Sequence, residues 1–347
     1  MKAPSAGGIC VIRRRPGPSS LTLAVARAAW FWTTLRYRVG EIRNFCRYPI
    51  RLRIGAAEGA GLKVILYGIP YGDWNAMLAD VEFWRSLRIV SEVSRIPAIP
   101  FLVRRHSRDT VLIPMKSAHA ARAPRGSVGL VADAWSLQVL DNKRNFQTFI
   151  EDNGLAAYCP ASFRCPEDAR FPCIVKRLDL SGSVGVVVAT SRHHLDEVLR
   201  SPVFAGRPHV LQALVPGDIE FASFAVCDGG RILWNWTFAS TMAGHSVIKT
   251  EDNDKDRETV DLPPAVQRQL EAILAPLAYR GPCIFNFKLT DDGTVQLFEI
   301  NPRFGGSLLQ QSQIKRLREA MGCILSRAVT NGVAPIASAT VAPSVAH

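Results

Sequence analysis

Three groups of residues in this 347-residue chain have types and spacings that could do chemistry. In FEINPRFGGS, residues 298–307, Glu299 and Asn301 alternate. On a strand that alternation puts both side chains on one face, with Phe298 and Ile300 expected on the other. Two hard oxygen donors followed by Arg303 and a Gly305-Gly306 turn suit a magnesium ion held jointly by protein and phosphate. Asn286 lies on the strand expected to pair through the Asp291-Asp292-Gly293 turn, and can add a third oxygen across that pair. The competing reading is a solvated sheet face. It does not account for Glu, Asn and Arg in an otherwise apolar run.

The second group is the stretch CIVKRLDLSGSVGVVVAT, residues 173–190. Lys176 sits among apolar neighbours on a strand that feeds the loop Asp179-Leu-Ser-Gly-Ser183. Gly lets a backbone approach an anion closely, and Ser adds hydroxyl donors, so such a loop can aim several donors at phosphate oxygens. Lys176 would supply a point charge beside it. The same residues also fit an ordinary hairpin turn. The third group is TFASTMAGHSVIKTEDND, residues 237–254, expected as a loop that holds His245, Ser246 and Lys249. His245 is equally readable as an ordinary loop histidine, and the charge run from Asp252 to Glu258 as solvated surface.

The elements that must position these groups follow from local pattern. KVILY from Lys63 reads as a short buried strand ending in a Gly/Pro loop, Gly68 to Gly72. Residues 78–95 read as a helix, with AIPFLV (98–103) and TVLIPM (110–115) as strands. Strand–helix alternation of this kind indicates a small parallel α/β layer. The stretch from Leu137 to Leu155 reads as one helix closed by Gly154. Hairpins follow from residue 171, with a turn at Asp228-Gly-Gly230 and an amphipathic helix opened by Pro263-Pro264.

Composition bounds the whole. Forty-two Lys and Arg against 30 Asp and Glu give a net charge of +12, and 48% of residues are hydrophobic. That content excludes a disordered chain and allows two or three units. The basicity is local: residues 1–60 hold eleven Lys and Arg and only two acids, Glu41 and Glu58. Helical spacing would gather Leu23, Ala26 and Trp30 on one face among arginines, a pattern for an anionic membrane surface or for packing on the protein itself. The eight cysteines form no CxxC pair and match no zinc spacing, which reads as free or buried thiols in a reducing compartment.

Taken in order, DNKRNFQTFIEDNGL, IVKRLDLSGSVGV, VLQALVPGDIE and FNFKLTDDGTVQLFEINPRFGGS resemble the motifs of the ATP-grasp superfamily. The resemblance covers about residues 136–310 and is nearest to carbamoyl-phosphate-synthetase-like and carboxylate–amine ligase members. It implies an α/β and α+β protein with two α+β lobes around the nucleotide, preceded by a small parallel α/β pre-domain. The implied division is a basic extension (1–60), the pre-domain (61–135), the ATP-grasp domain (136–330) and a disordered tail (331–347).

Residue by residue, the resemblance assigns Lys143 and Lys176 to nucleotide phosphates and Ser181, Gly182, Ser183 and Gly185 to the loop that closes over them as a lid. Gln212, Ala213 and Leu214 match the hinge whose backbone receives adenine. Glu220 matches the acid on the ribose hydroxyls. Many relatives carry an acid where Gln212 stands. Asn286, Glu299 and Asn301 match the ligands of magnesium or manganese, and Arg303 the arginine near the transferred phosphoryl group. The family arrangement would also put His245, Ser246 and Lys249 near the acceptor carboxylate, making 237–254 the substrate loop. The implied activity is ATP-dependent activation of a carboxylate as an acyl phosphate and its coupling to an amine, with release of ADP and phosphate. One alternative keeps the fold but makes it a phosphotransferase or a carboxylase-like enzyme. Another is a membrane- or nucleic-acid-associated protein with a regulatory ATP site. The expected partners are small carboxylates and amines, with residues 1–60 as a candidate membrane-surface contact. Nucleic acid is not expected, and an oligomer is compatible. The expected location is cytoplasmic or peripheral at a membrane.

Overall fold

The run LKVILY is apolar at every position but one, the pattern of a strand buried on both faces of a parallel sheet. A computed structural model describes residues 50–54, 61–68, 74–103, 110–180, 185–243, 248 and 254–332. All lie within the unit Pro49–His347. Ser181, Gly182, Ser183, His245, Ser246 and Lys249 are outside the described residues, as are most of the basic extension and the tail from 333.

The first sheet holds β1 (Arg51–Arg53), β2 (Leu62–Tyr67), β3 (Val90–Ile96) and β4 (Thr110–Pro114) in the order β1-β3-β2-β4. Strands β3 and β4 flank β2 in parallel, and β1 adds an antiparallel edge. Short helices α1 (Trp74–Leu78), α2 (Val81–Arg85), α3 (Pro100–Val103) and α4 (Ser117–Ala120) connect the strands. Two expectations are corrected here. The helix expected over 78–95 is only α2, which Asp80 caps by accepting from the Glu82 N–H at 2.9 Å. Arg88 then takes φ +58, a left-handed turn, and VSEVSRI becomes β3. AIPFLV holds helix α3 instead of a strand. Proline lacks the N–H a ladder needs, whereas Pro100 suits the first turn of a helix.

A third correction concerns the segment after Leu137. It contains two helices, α5 (Ala134–Leu140) and α6 (Lys143–Asp152), not one. Asn142 separates them because its side-chain oxygen caps α6, accepting from the N–H groups of Arg144 and Asn145 at 3.0 and 3.2 Å.

The second sheet orders β5 (Ser162–Phe163), β6 (Cys173–Arg177), β7 (Val186–Ala189) and β8 (His209–Ala213) as β5-β8-β6-β7, antiparallel throughout. Helix α7 (Arg192–Arg200) covers one face, where Leu195 and Val198 meet Cys173, Val175 and Leu211. Strand alternation leaves Ile174, Lys176 and Gln212 on the opposite face.

The third sheet orders β9 (Ile219–Asp228), β10 (Arg231–Met242), β11 (Asp254–Val260), β12 (Gly281–Leu289) and β13 (Val295–Asn301) as β11-β10-β9-β12-β13. Its strands are antiparallel to their neighbours. The segment expected as a loop over 237–254 is strand at both ends. Residues 237–242 complete β10, and the charge run opens the edge strand β11, whose Asp256, Arg257 and Glu258 are exposed. Charged side chains on an edge deter pairing with other chains.

Helix α8 (Pro264–Leu274) joins α5 and α6 over one face of this sheet, burying Phe146, Ile150, Leu270 and Ile273 against Phe285, Phe287 and Ile300. On the other face Phe224, Trp236 and Ile284 share a core with helix α9 (Ile314–Thr330) and with Val64, Leu66 and Trp84 of the first sheet and its connections. Farther along that face the apolar row gives way to Asn286 and Lys288. The molecule is thus the mixed α/β and α+β assembly expected from the motifs.

Candidate nucleotide and metal site

Period-two alternation carries Asn286 of β12 opposite Glu299 of β13, and Ile284 opposite Asn301. The three polar side chains form one row. Both amides donate to the same carboxylate oxygen: Asn286 Nδ2 and Asn301 Nδ2 each lie 3.0 Å from Glu299 Oε1. Arg303 extends the row, its Nη2 donating to Asn301 Oδ1 at 3.3 Å and its Nη1 to the Phe304 carbonyl at 3.3 Å.

The donor chemistry of this row fits magnesium. One carboxylate and two amides offer only hard oxygens. Each amide carries its oxygen on the carbon that bears the donating NH2, so a half-turn about χ2 exchanges donor for acceptor. Among the described residues no group of three His, Cys, Asp or Glu side chains could hold a metal ion. The candidate metal centre is therefore this mixed set.

Phe298 is corrected. Strict alternation would bury it, but the β12–β13 register slips between Asn286 and Phe287. The slip makes Phe298 the extra residue of a bulge, which re-aims its side chain. Ile300 stays in the core at 2% exposure. Phe298 is only partly buried, with the Lys176 ammonium 5.1 Å from its ring centroid. Lys176 reaches this point from β6, so the two sheets meet here.

Burial is the largest influence on the Lys176 ammonium and pushes its pKa below the ordinary lysine value. Glu299 and Glu220 oppose the depression, while Lys143 adds to it. Lys143, at the first turn of α6, donates from Nζ to the carbonyls of Leu180 at 2.8 Å and Arg177 at 3.2 Å. It thereby grips the stem that leads into residues 181–184. Gly185 closes that stem at φ +72.

Gln212 and Ala213 end β8, where Gln212 Nε2 donates to Ser162 Oγ at 3.4 Å. Leu214 begins the connection to β9, and Glu220 lies just beyond it on the cleft face of the third sheet. On the helix-covered side of the second sheet, Ala213, Leu214 and Pro216 line a depression of about 720 Å³ with Phe163, Arg170 and Phe171. Lys176 and Glu299 take no part in it.

Two residues close to the site lie within the motifs, Asp141 at the start of DNKRNF and Lys288 two residues after Asn286, but were assigned no role. Asp141 ends α5 and faces Arg303. Desolvation raises its carboxyl pKa, and the Ser117 hydroxyl and the Arg303 guanidinium offset part of that rise. Lys288 is 1% exposed and donates to the carbonyls of Val215 at 3.3 Å and Gly217 at 2.6 Å. A lysine two residues after a polar Asn on a strand gave no reason to expect burial.

No protein-family model matches the chain, and no curated protein matches its sequence. Solved structures do. Phosphoribosylamine–glycine ligase from Thermotoga maritima superposes with a TM-score of 0.55 at 15% identity, covering 79% of this chain and 78% of that one. D-alanine–D-alanine ligase from Bacillus anthracis, complexed with ATP, gives 0.52 at 14% identity over 79% and 98% of the two chains. L-amino acid ligase from Bacillus licheniformis gives 0.50 at 15% identity over 80% and 78%. The chain has the ATP-grasp fold, which it shares with these structures over about four-fifths of its length. No helix among the described residues is long and apolar enough to cross a membrane.

Proposed function

We propose that the protein is an ATP-dependent ligase that activates a carboxylate as an acyl phosphate and couples it to an amine. The observation that carries this reading is the hydrogen-bonded row Asn286–Glu299–Asn301–Arg303 facing Lys176 across the cleft. A carboxylate is a poor electrophile, and transfer of the γ-phosphoryl group of ATP to its oxygen creates a leaving group. Negative charge spreads over the phosphoryl oxygens during that transfer, so preorganised cations aimed at them lower the barrier. Lys176, Lys143 and Arg303 are the described cations at the site.

Magnesium, held by Glu299 with the amide oxygens of Asn286 and Asn301, would supply further charge neutralisation on the phosphates. Gln212, Ala213 and Leu214 would take the adenine, Glu220 the ribose hydroxyls, and the segment from Ser181 to Gly185 would cover the phosphates. Phe298 adds an apolar ring beside Lys176. Covering the site keeps water from the acyl phosphate until the amine attacks the carbonyl carbon and phosphate leaves.

The test is ADP release by the purified full-length protein across a matrix of amino acids and small carboxylates with amines. The reading predicts wells in which ADP rises only when both partners are present. ADP release indifferent to every added amine and carboxylate would favour the phosphotransferase or regulatory alternatives.

A further inference from the structure

The connection between the second and third sheets runs from Leu214 to Asp218, and the proposed purine contacts lie at its start. Three devices fix its path. Pro216 restricts φ. Gly217 takes φ +91, and a Cβ there would meet nothing, so glycine is required by conformation rather than by space. The third is Lys288, which reaches the connection from β12. Its ammonium lies in a pocket with 1% of the residue exposed, where a charge must be fully hydrogen-bonded to be tolerated. Two of its acceptors are the Val215 and Gly217 carbonyls, at 3.3 and 2.6 Å.

Resting on the nucleotide site proposed above, we infer that Lys288 is a positioning residue for the purine: it clamps the interlobe connection to the strand that bears the metal-site Asn286. Two carbonyls on either side of Pro216 converge on one cation. They are therefore held against the third sheet and committed to Lys288. That leaves the backbone groups of Ala213 and Leu214 to define the edge the purine meets. Phe287, the residue before Lys288, is paired with Phe221, the residue after Glu220. The clamp, the ribose acid and the metal row thus share one sheet face, and the distance from base to phosphates is set by β-sheet geometry rather than by a loop. A ligand that carries phosphates but no base makes no use of this clamp.

The experiment compares mant-ADP with inorganic tripolyphosphate, both with magnesium, on full-length wild type, Lys288→Met and Lys288→Arg. Methionine keeps the apolar stem and deletes the donors, whereas arginine restores donors to the same carbonyls. The inference predicts mant-ADP affinity roughly tenfold weaker in Lys288→Met, about one lost charged hydrogen-bond's worth. Tripolyphosphate affinity should change less than about twofold, and Lys288→Arg should recover most of the mant-ADP loss. Equal losses for both ligands, or no loss, overturn the inference and leave the nucleotide site standing. Wild-type protein that does not bind mant-ADP overturns the nucleotide site and the inference with it. If Lys288→Met does not fold, Lys288→Gln takes its place in the same comparison, since it keeps a shorter, uncharged donor. A loss of mant-ADP affinity with tripolyphosphate affinity retained supports the clamp, and equal losses for both ligands, or none, contradict it.

Discussion

Glu299 holds the row together because it accepts from both amides and is the only carboxylate of the proposed metal site. Replacing it with Gln keeps the shape and removes the charge that would bind a cation. Glu299→Gln is expected to lower ADP formation by roughly a hundredfold or more, with an unchanged circular-dichroism spectrum and melting curve. Near-wild-type turnover at moderate magnesium would remove Glu299 from the metal role. Lys176 is the complementary case. Lys176→Met preserves contact with Phe298 but deletes the ammonium, so nucleotide affinity and phosphoryl transfer should both fall. An unchanged affinity and rate would mean that Lys176 only packs the two sheets together.

Elements decide whether these residues meet, and the hairpins are the parts most legible in the sequence. EINPR, the Asp-Gly turns and the alternation around Lys176 placed β6, β12 and β13 correctly. The bulge at Phe298 was not legible, because a one-residue slip in register depends on the partner strand rather than on local composition. The burial of Lys288 was not legible either, since it depends on the approach of a connection some 70 residues away in the chain. The break between α5 and α6 was written in Asp141-Asn142, but the helical spacing of the apolar residues masked it.

The stem that leads into the proposed phosphate loop is constrained at Gly185. Gly185 has φ +72, and a Cβ there would lie 2.8 Å from Leu180 Cδ1 and 3.1 Å from Arg177 Cβ. Gly185→Val combines a left-handed β-branched residue with that crowding, so it should cost about 1–2 kcal/mol in chemical denaturation. It should also weaken nucleotide binding by displacing the carbonyls that Lys143 holds. A variant as stable and as tight-binding as wild type would show that the stem is not constrained in this way.

At the scale of the whole molecule, Asp228 ties distant parts of the chain together. It sits at the end of β9 and accepts from Arg280 Nε at 2.7 Å, just before β12, and from Arg327 Nε at 2.5 Å, near the end of α9. Its side chain is only 8% exposed. Burial pushes its carboxyl pKa up, but the Arg327 and Arg280 guanidiniums outweigh burial and hold it below the usual carboxylate range. A depressed folded-state pKa contributes stability above the unfolded value, about 3.9, and that stability is lost as pH falls through the folded value. Asp228→Asn should therefore destabilise the protein by about 2 kcal/mol near neutral pH. The difference from wild type should shrink below about pH 4, where both chains carry a neutral side chain in the unfolded state. A stability gap that is constant from pH 7 to pH 3 would contradict the charge-based role.

The central claim is that a substrate carboxylate becomes an acyl phosphate before the amine attacks. The most direct measurement uses a carboxylate and amine pair that supports ADP release, with the carboxylate oxygens labelled with ¹⁸O. One labelled oxygen bonds to the γ-phosphorus of ATP, and the amine then attacks the carbonyl carbon, so that oxygen leaves with the phosphate. The account predicts one ¹⁸O atom in each phosphate released and an amide product that keeps the other. Phosphate free of label, formed at the same rate as ADP, would contradict it.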